Sequence, residues 1–516
     1  MKECPIDVQQ ISDFFIKMNA NFELPWSPRY TQTGEDVAAD AGGMAYYALA
    51  ATIAFTVCVF SLEGNLDARQ RDAYLIPTFP KQLEQTVSRI DKDRATTKPK
   101  KEEKKEEESK EKDDEKKKDD PNEPLLPKLQ SKFENAQSYG LDKINFGMIS
   151  STFDAFESVF FLIIGFLPYA WDLSVTTGEK YFGWSETENE IKISLIFLLL
   201  TTVLGIVTSL PFELYSTFRI EKKHGFNKMT VGLFFADKVK STLLSIVIGG
   251  PFVAILLTII KMGGPFFFIY VWAFMFVFSL FMMTVYPVFI MPLFNKYEKL
   301  DDGDLKTRIY ALADRLKYPL TNLFVMDGSK RSSHSNAFMF GFGKNKRIVL
   351  FDTLLTQVQD NEILGILGHE LGHWKLGHTM SNFVITQLYS GAAFYFFSLC
   401  YTSQELVSAF GFNDISRPVP TIIALLLFFQ TLWAPVDKIL SFLLTVFSRY
   451  NEFSADKFSH ELGYSEHLQS GLVKIHLENL GAMCPDPWYS MYHYSHPPLV
   501  ERLSAMMTMD KMKKQT

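Results

Sequence analysis

The chain has 516 residues, 47% of them hydrophobic, 15% aromatic and 21% charged, with a formal net charge of −6 at pH 7. It has no basic excess to neutralise a phosphate backbone, which excludes nucleic-acid binding as a main role. The 4 cysteines, Cys4, Cys58, Cys400 and Cys484, are scattered without metal or disulfide spacing, which excludes a disulfide-stapled secreted scaffold.

Runs of about 20 apolar residues cross a bilayer, and seven runs here read as the spans of a polytopic membrane protein. The first, Gly43 to Leu62, starts too far into the chain for a cleaved signal peptide and reads as a retained anchor after a lumenal segment, 1–42. Residues 63–152 form a Lys-rich connection that contains a low-complexity block of Lys, Glu and Asp, Asp91 to Asp120. Its charges nearly cancel and it has almost nothing apolar to bury, so it is expected to be a disordered or transiently helical insert. Spans two to five follow within 153–290, at Phe153 to Trp171, Ile193 to Leu210, Leu243 to Ile260 and Phe266 to Ile290. The last is apolar on every face, unlike the buried helix of a soluble enzyme.

The connections alternate in charge. Residues 63–152, the loop 213–240 with Arg219, Lys222, Lys223, Lys228, Lys238 and Lys240, and the stretch 291–382 are rich in Lys and Arg. The intervening loops hold only Lys180, Lys192, Lys261 and Arg417. Lys- and Arg-rich short loops stay in the cytosol, so the N-terminus is expected in the lumen and the C-terminus in the cytosol.

Residues 291–382 read as the start of a globular unit. Leu305, Ile309, Leu312 and Leu316 recur at helical spacing, Asn322 to Met326 reads as a short strand, and Ala337 to Gly343 with Arg347 to Phe351 reads as a hairpin around Lys344-Asn345. Proteases commonly hold an extended peptide on a sheet edge, which makes Ser335, Asn336 and Ala337 the expected substrate-binding residues. The next helix carries His369-Glu370-Leu371-Gly372-His373. Residues four apart share a helix face, so both imidazoles can reach one Zn²⁺ ion with Glu370 beside them as general base. Apolar Ile363, Leu364, Ile366, Leu367 and Leu371 around the motif point to a packed helix rather than a solvated one.

Spans six and seven are Phe383 to Tyr401 and Ile422 to Phe447, within 383–447. A catalytic zinc usually has three protein ligands. His378, in HWKLGH, sits at the wrong offset for the metzincin pattern. Two crossings return the chain to the side it left, so Glu452, in SRYNEFSAD of the terminal segment 448–516, can reach the metal. Asp456, one turn further, is placed to hydrogen-bond a ligand imidazole. His496, in HYSHPP, is the candidate donor to a tetrahedral oxyanion, with Arg502 nearby in sequence. Lys513-Lys514 matches a cytosolic dilysine address for the endoplasmic reticulum.

Four segments, SSHSNAFMFGFGKNKRIVLFDTLL, GHELGHWKLGH, SRYNEFSAD and YSHPPLVERL, occur in this order; with RIEKKHGFNKMT from Arg219 and FENAQSYGLDKINF from Phe133, they resemble the zinc-dependent CAAX prenyl protease family, whose animal members process prelamin A. The resemblance runs from the first span to Arg502. It implies a predominantly α-helical polytopic membrane protein in which seven transmembrane helices form a water-filled chamber, roofed by a gluzincin-like cytosolic zinc metalloprotease domain with a small β-hairpin. Asp154, Glu157, Asp437 and Lys438 would face that chamber rather than lipid. It also implies an enzyme of the endoplasmic reticulum and inner nuclear membranes that removes the last three residues of prenylated proteins ending in Cys-a-a-X. Some members make a second cut upstream. By the same resemblance His369, His373 and Glu452 would bind one zinc, Glu370 would be the catalytic base, and Asn336 and His496 would contact substrate or transition state. The Asp91 to Asp120 insert has no counterpart in the family pattern. Two rival readings are a general quality-control endopeptidase of membrane proteins and a non-enzymatic seven-helix transporter, whose signature would be broken spans and paired intramembrane charges.

Overall fold

The computed structural model describes residues 44–96, 123–412 and 417–515, so segment 1–42 and most of the charged insert lie outside the described residues. In the first half, α1 (Met44–Tyr74) and α2 (Lys81–Thr96) precede α3 (Leu125–Ile163), a helix of 39 residues, and α4 (Phe166–Phe182). The next helix, α5 (Glu190–Tyr215), runs on through a π-helical turn to Glu221. A similar turn, Ser245–Gly249, joins α6 (Val231–Leu244) to α7 (Gly250–Met262), and α8 (Phe267–Val285) follows.

Among the described residues, length and hydropathy qualify 6 helical segments as membrane spans: Tyr47–Tyr74, Leu125–Ile163, Glu190–Glu221, Val231–Met262, Gly264–Leu293 and His378–Cys400. Thr421–Leu432 and Ala434–Glu461, bent by 59°, make a seventh when taken as one. The chain is a multi-pass membrane protein. The second span differs most from its expected bounds of Phe153 to Trp171. Its helix starts at Leu125 and stops at Ile163, because Gly165, at φ 69°, turns the chain into α4. Apolar runs report where the bilayer is, whereas helical hydrogen bonding continues past it; for the same reason α1 outlasts Leu62 and ends at Tyr74.

The second half mixes strands and helices: β1 (Tyr297–Lys299), α9 (Asp304–Leu316), β2 (Leu320–Met326), β3 (Ala337–Phe342), β4 (Asn345–Phe351), α10 (Asp352–Gln357) and α11 (Asp360–Lys375). It ends with α12 (His378–Cys400), α13 (Gln404–Ser408), α14 (Thr421–Leu427), α15 (Ala434–Glu461), α16 (Ser465–Glu478), α17 (Pro487–His493) and α18 (Leu499–Gln515). The expected hairpin is part of a larger sheet of order β1-β2-β4-β3, with β2 and β4 parallel and the other pairs antiparallel. Phe342 pairs with Asn345, so the turn falls at Gly343-Lys344, one residue earlier than expected. A three-residue strand such as β1 is too short to show alternation, which is why the sequence does not announce it.

The catalytic unit's core gathers Ile309 and Leu312 of α9, Ile348 and Leu350 of β4, Leu367 and Leu371 of α11 and Leu503 of α18. Leu83 and Val87 of α2 and Leu125 and Leu129 of α3 join it, so the long α3 begins in this core and ends in the membrane bundle. Each such side chain stabilises the fold by about 1.5–3 kcal/mol. The Asp91 carboxylate accepts from the backbone N–H groups of Leu125 and Leu126 at 2.9 and 3.0 Å, capping α3 and clipping together the two chain ends that flank the insert. The loop after α5 is fastened to the start of the strand edge: Phe226 stacks on His334 at 4.2 Å, and Arg331 forks onto Asp237 of α6 at 2.9 and 3.1 Å.

Within the bundle a cavity of about 490 Å³ is lined by Thr52, Glu157, Gly165, Phe197, Phe410 and Gln430 among others. Of the four polar residues expected there, Glu157 lines it and Asp154 is exposed. Asp437 accepts from the Tyr389 hydroxyl at 2.6 Å and Lys438 pairs with Glu63 at 2.6 Å, so these two are paired with partners from other helices.

Candidate metal centre

The helix α11 is anchored at its start. The Gln359 side chain accepts from the Glu362 backbone N–H, and Glu362 Oε2 accepts from the Gln359 N–H at 2.8 Å. Glu362 is buried and also accepts from Ser470 Oγ and Lys474 Nζ of α16, at 2.8 and 2.9 Å. Gly365, Gly368 and Gly372 then line one face of α11. A Cβ at Gly365 would lie 2.8 Å from the Leu468 nitrogen, and one at Gly372 would lie 3.3 Å from Ala455 Cα. The stripe lets α16 and α15 come closer than larger residues would permit. That approach carries Glu452 and Asp456 of α15 onto the face of α11 that holds His369 and His373.

His369 Nε2 and His373 Nε2 lie 3.1 Å apart. Glu452 Oε2 is 3.5 Å from the first and Glu452 Oε1 is 3.2 Å from the second. Donors bound at about 2.0–2.2 Å around one tetrahedral ion are roughly 3.3 Å from one another, so this trio fits a single metal ion. Glu452 Oε2 is buried without a hydrogen-bond donor. His496 Nδ1 and Arg502 Nη1 approach it to 2.7 and 3.4 Å without making a hydrogen bond. An orphaned buried oxygen costs about 1–3 kcal/mol, a cost that a bound cation removes.

The surroundings favour positive charge. His369 Nδ1 sits 2.8 Å from Asp456 Oδ1. Burial works against a charge on His369, yet the Asp456 and Glu452 carboxylates outweigh it and its pKa is raised to about 9. Arg502 corrects an expectation. The sequence reading counts it among the substrate-binding residues, whereas the structure buries it beside the trio, with Nη1 3.4 Å from Glu452 Oε2, Nε 2.8 Å from Asp456 Oδ2 and Nη2 2.6 Å from Oδ1. A fully buried carboxylate needs such a counter-charge.

Glu370 follows His369 on α11 and is half-buried, close enough for its charge to act on Arg502. His496 lies on the turn before Pro497-Pro498 and is open, its side chain 68% exposed against 4% for Glu452. The strand β3 is last in the sheet order. At its start Asn336 is exposed, while Ser335 and Ala337 are buried, the Ser335 hydroxyl being donated to Gln357. The Asn336 side chain faces outward with its Oδ1 accepting from the Ala337 N–H at 2.8 Å, while the Ser335 N–H donates to Asn479 Oδ1 at 3.4 Å. His378 has a place that the spacing argument misses: its Nδ1 lies 2.9 Å from His373 Nδ1, on the side of the ring away from the trio. The sequence carries that signal as a histidine directly after Gly377.

Residues 116–296 match the CAAX prenyl protease N-terminal family, described as five membrane helices, and residues 299–510 match peptidase family M48. A CAAX prenyl protease 1 homolog from Oryza sativa subsp. japonica is 43% identical over 471 residues, covering 91% of this chain and 100% of that protein. The Homo sapiens protein of the same name is 44% identical over 415 residues, covering 73% of this chain and 86% of that protein. The crystal structure of S. mikatae Ste24p superposes with a TM-score of 0.74 at 34% identity, covering 89% of this chain and 98% of that one. Fold, trio and matched segments define a metallopeptidase built into a membrane. The chain belongs to the CAAX prenyl protease 1 group of peptidase family M48.

Proposed function

We propose that this protein is a zinc metalloendopeptidase that removes the C-terminal aaX tripeptide from prenylated Cys-a-a-X proteins, at the cytosolic face of the endoplasmic reticulum membrane. The observation that carries the reading is the convergence of His369 and His373 of α11 with Glu452 of α15, two helices far apart in the sequence, to within 4.8 Å of one another. These residues hold one zinc, which when bound polarises a carbonyl and lowers the pKa of water. Glu370 accepts a proton from the attacking water and returns it to the leaving amine. His496, the exposed histidine at the rim, donates a hydrogen bond to the developing oxyanion. Asn336 and the backbone of Ser335 to Ala337 hold the peptide as an added strand on the β3 edge. Asp456 keeps the proton of His369 on Nδ1, so that Nε2 is free for the metal.

The lysine and arginine bias supports the orientation, with the site in the cytosol and the N-terminal segment in the lumen. The test is to incubate purified full-length protein with a farnesylated Cys-a-a-X peptide and with its unprenylated twin, and to identify released tripeptide by mass spectrometry. Release from the farnesylated peptide alone is the expected result. Equal cleavage of both would leave a general membrane endopeptidase as the better description.

A further inference from the structure

We propose that His378 is the positioning residue that fixes His373 for the metal, through a hydrogen-bond relay that ends on α15. This rests on the reading of His373 as a metal ligand.

A histidine that offers Nε2 to a metal carries its proton on Nδ1. His373 turns Nε2 toward His369 and Glu452, at 3.1 and 3.2 Å. Its Nδ1–H therefore points the other way, where the atom 2.9 Å distant is Nδ1 of His378. Two protonated nitrogens do not meet at that distance, so His378 accepts at Nδ1 and keeps its own proton on Nε2. That nitrogen is 3.1 Å from Ser454 Oγ and donates to it. The Ser454 hydroxyl in turn donates to the Asn451 carbonyl at 2.8 Å. Every donor has an acceptor and the relay runs one way, from His373 to the backbone of α15. The opposite tautomer of His378 would set two N–H groups against each other and ask the Ser454 hydroxyl for a proton already committed to Asn451.

The local fold delivers this arrangement. Gly377, at φ 77°, takes a left-handed conformation that lets the chain turn abruptly between α11 and α12. His378 is the first residue of α12 and is buried against His373. Ser454 and Asn451 flank Glu452 on α15. The relay thus ties one candidate ligand to the first turn of one membrane helix and to the helix that carries another ligand. It also sets the two histidines apart. His369 has a carboxylate behind it, itself held by Arg502, whereas His373 has a neutral imidazole. A charged acceptor raises ligand basicity more than a neutral one, so His378 contributes orientation above all.

The experiment measures zinc dissociation constants of the full-length protein in detergent by chelator competition, with Co²⁺-substituted samples read by their visible ligand-field bands. His378→Phe is expected to weaken zinc binding by roughly 10-fold to 100-fold and to change the Co²⁺ bands. His378→Asn, whose side-chain oxygen can accept from His373 Nδ1–H, is expected to recover most of both. A folded His378→Phe protein with native zinc affinity and an unchanged Co²⁺ spectrum overturns the relay. His373→Ala separates the two readings: if it retains zinc, the ligand assignment fails, and if it loses zinc while His378→Phe does not, the relay alone fails. Should His378→Phe not fold, Ser454→Val decides, and native zinc affinity in that variant overturns the relay.

Discussion

The catalytic unit and the membrane bundle are built from the same apolar residue types turned in opposite directions. In the catalytic unit Leu367, Leu371 and Ile348 are sealed from solvent, and the polar groups that share the interior, such as Glu362, Lys474, Asp456 and Arg502, are paired. In the bundle the α5 residues Leu199, Val203 and Val207 point outward at 46%, 50% and 62% exposure, while Thr52, Glu157 and Gln430 face a cavity inside. In the first region water drives apolar groups inward; in the second, lipid removes that drive and leaves polar groups to find the interior. α3 and α15 pass from one regime to the other within single helices.

The largest effects should come from the chemical centre of the first region. Glu370→Ala is expected to lower turnover by about 10²- to 10⁴-fold while zinc stays bound, and Glu452→Ala to lose zinc and activity together. Metal analysis beside a peptide-cleavage assay checks both, and a zinc-replete Glu452→Ala protein would break the assignment.

The packing contrast is sharpened by paired truncations. Leu367→Ala should cost about 2–5 kcal/mol of stability and Val207→Ala no more than about 0.5 kcal/mol, measured as unfolding in detergent. Val203→Arg, near the middle of the Ile193 to Leu210 run, should cost about 2.5–3.5 kcal/mol on insertion, although the residue is exposed. Equal costs for the two alanine variants would mean that Val207 packs against protein.

A smaller effect concerns pH. The pKa of His369 is raised from 6.5 to about 9, so on the proposed zinc reading a proton occupies His369 below that value and the metal must displace it. Apparent zinc affinity should therefore climb by roughly tenfold per pH unit as pH rises between these limits. The proton-linked stability of the metal-free protein has the opposite sense: it is fully present below pH 6.5 and lost as pH rises through about 9. Chelator competition and thermal melts along one pH series test the two slopes.

The smallest effect is at the base of the insert. Asp91→Ala should cost about 1 kcal/mol by uncapping α3, and replacing residues 97–122 with a short linker should leave peptide cleavage unchanged. A large fall in turnover with folding intact would assign the insert a part in binding substrate.

The readable parts of the sequence were those in which one helix or one crossing count carries the information. His369 and His373 share a face by spacing alone, with Glu370 beside them, and an even number of crossings returns Glu452 to their side, where its carboxylate lies within 4.8 Å of both. The 7-residue strand β2 and the helix α9 announce themselves by periodicity. What escaped depends on contacts between distant segments. β1 and its antiparallel partnership, the parallel pairing of β2 with β4, and the stop of α3 at Gly165 have no local pattern of sufficient length. Arg502 was legible as a basic residue near the site, but its partner, 46 positions earlier, could not be read from nearness in sequence. The glycine stripe of α11 was visible as Gly365, Gly368 and Gly372, yet its meaning appears only once α15 and α16 are laid against it.

The helix α15 has one further consequence. It is a single rod of 28 residues from Ala434 to Glu461. At a rise of about 1.5 Å per residue, Glu452 stands only roughly 7 Å beyond Phe447, where the apolar run ends. The rod works as a ruler with one end set by bilayer thickness. Adding or removing a turn of α15 between Phe447 and Asn451 would move Glu452 about 5.4 Å along the helix, away from the His369 and His373 that α11 holds. The length of this helix, as much as the chemistry of its glutamate, therefore sets whether the trio closes.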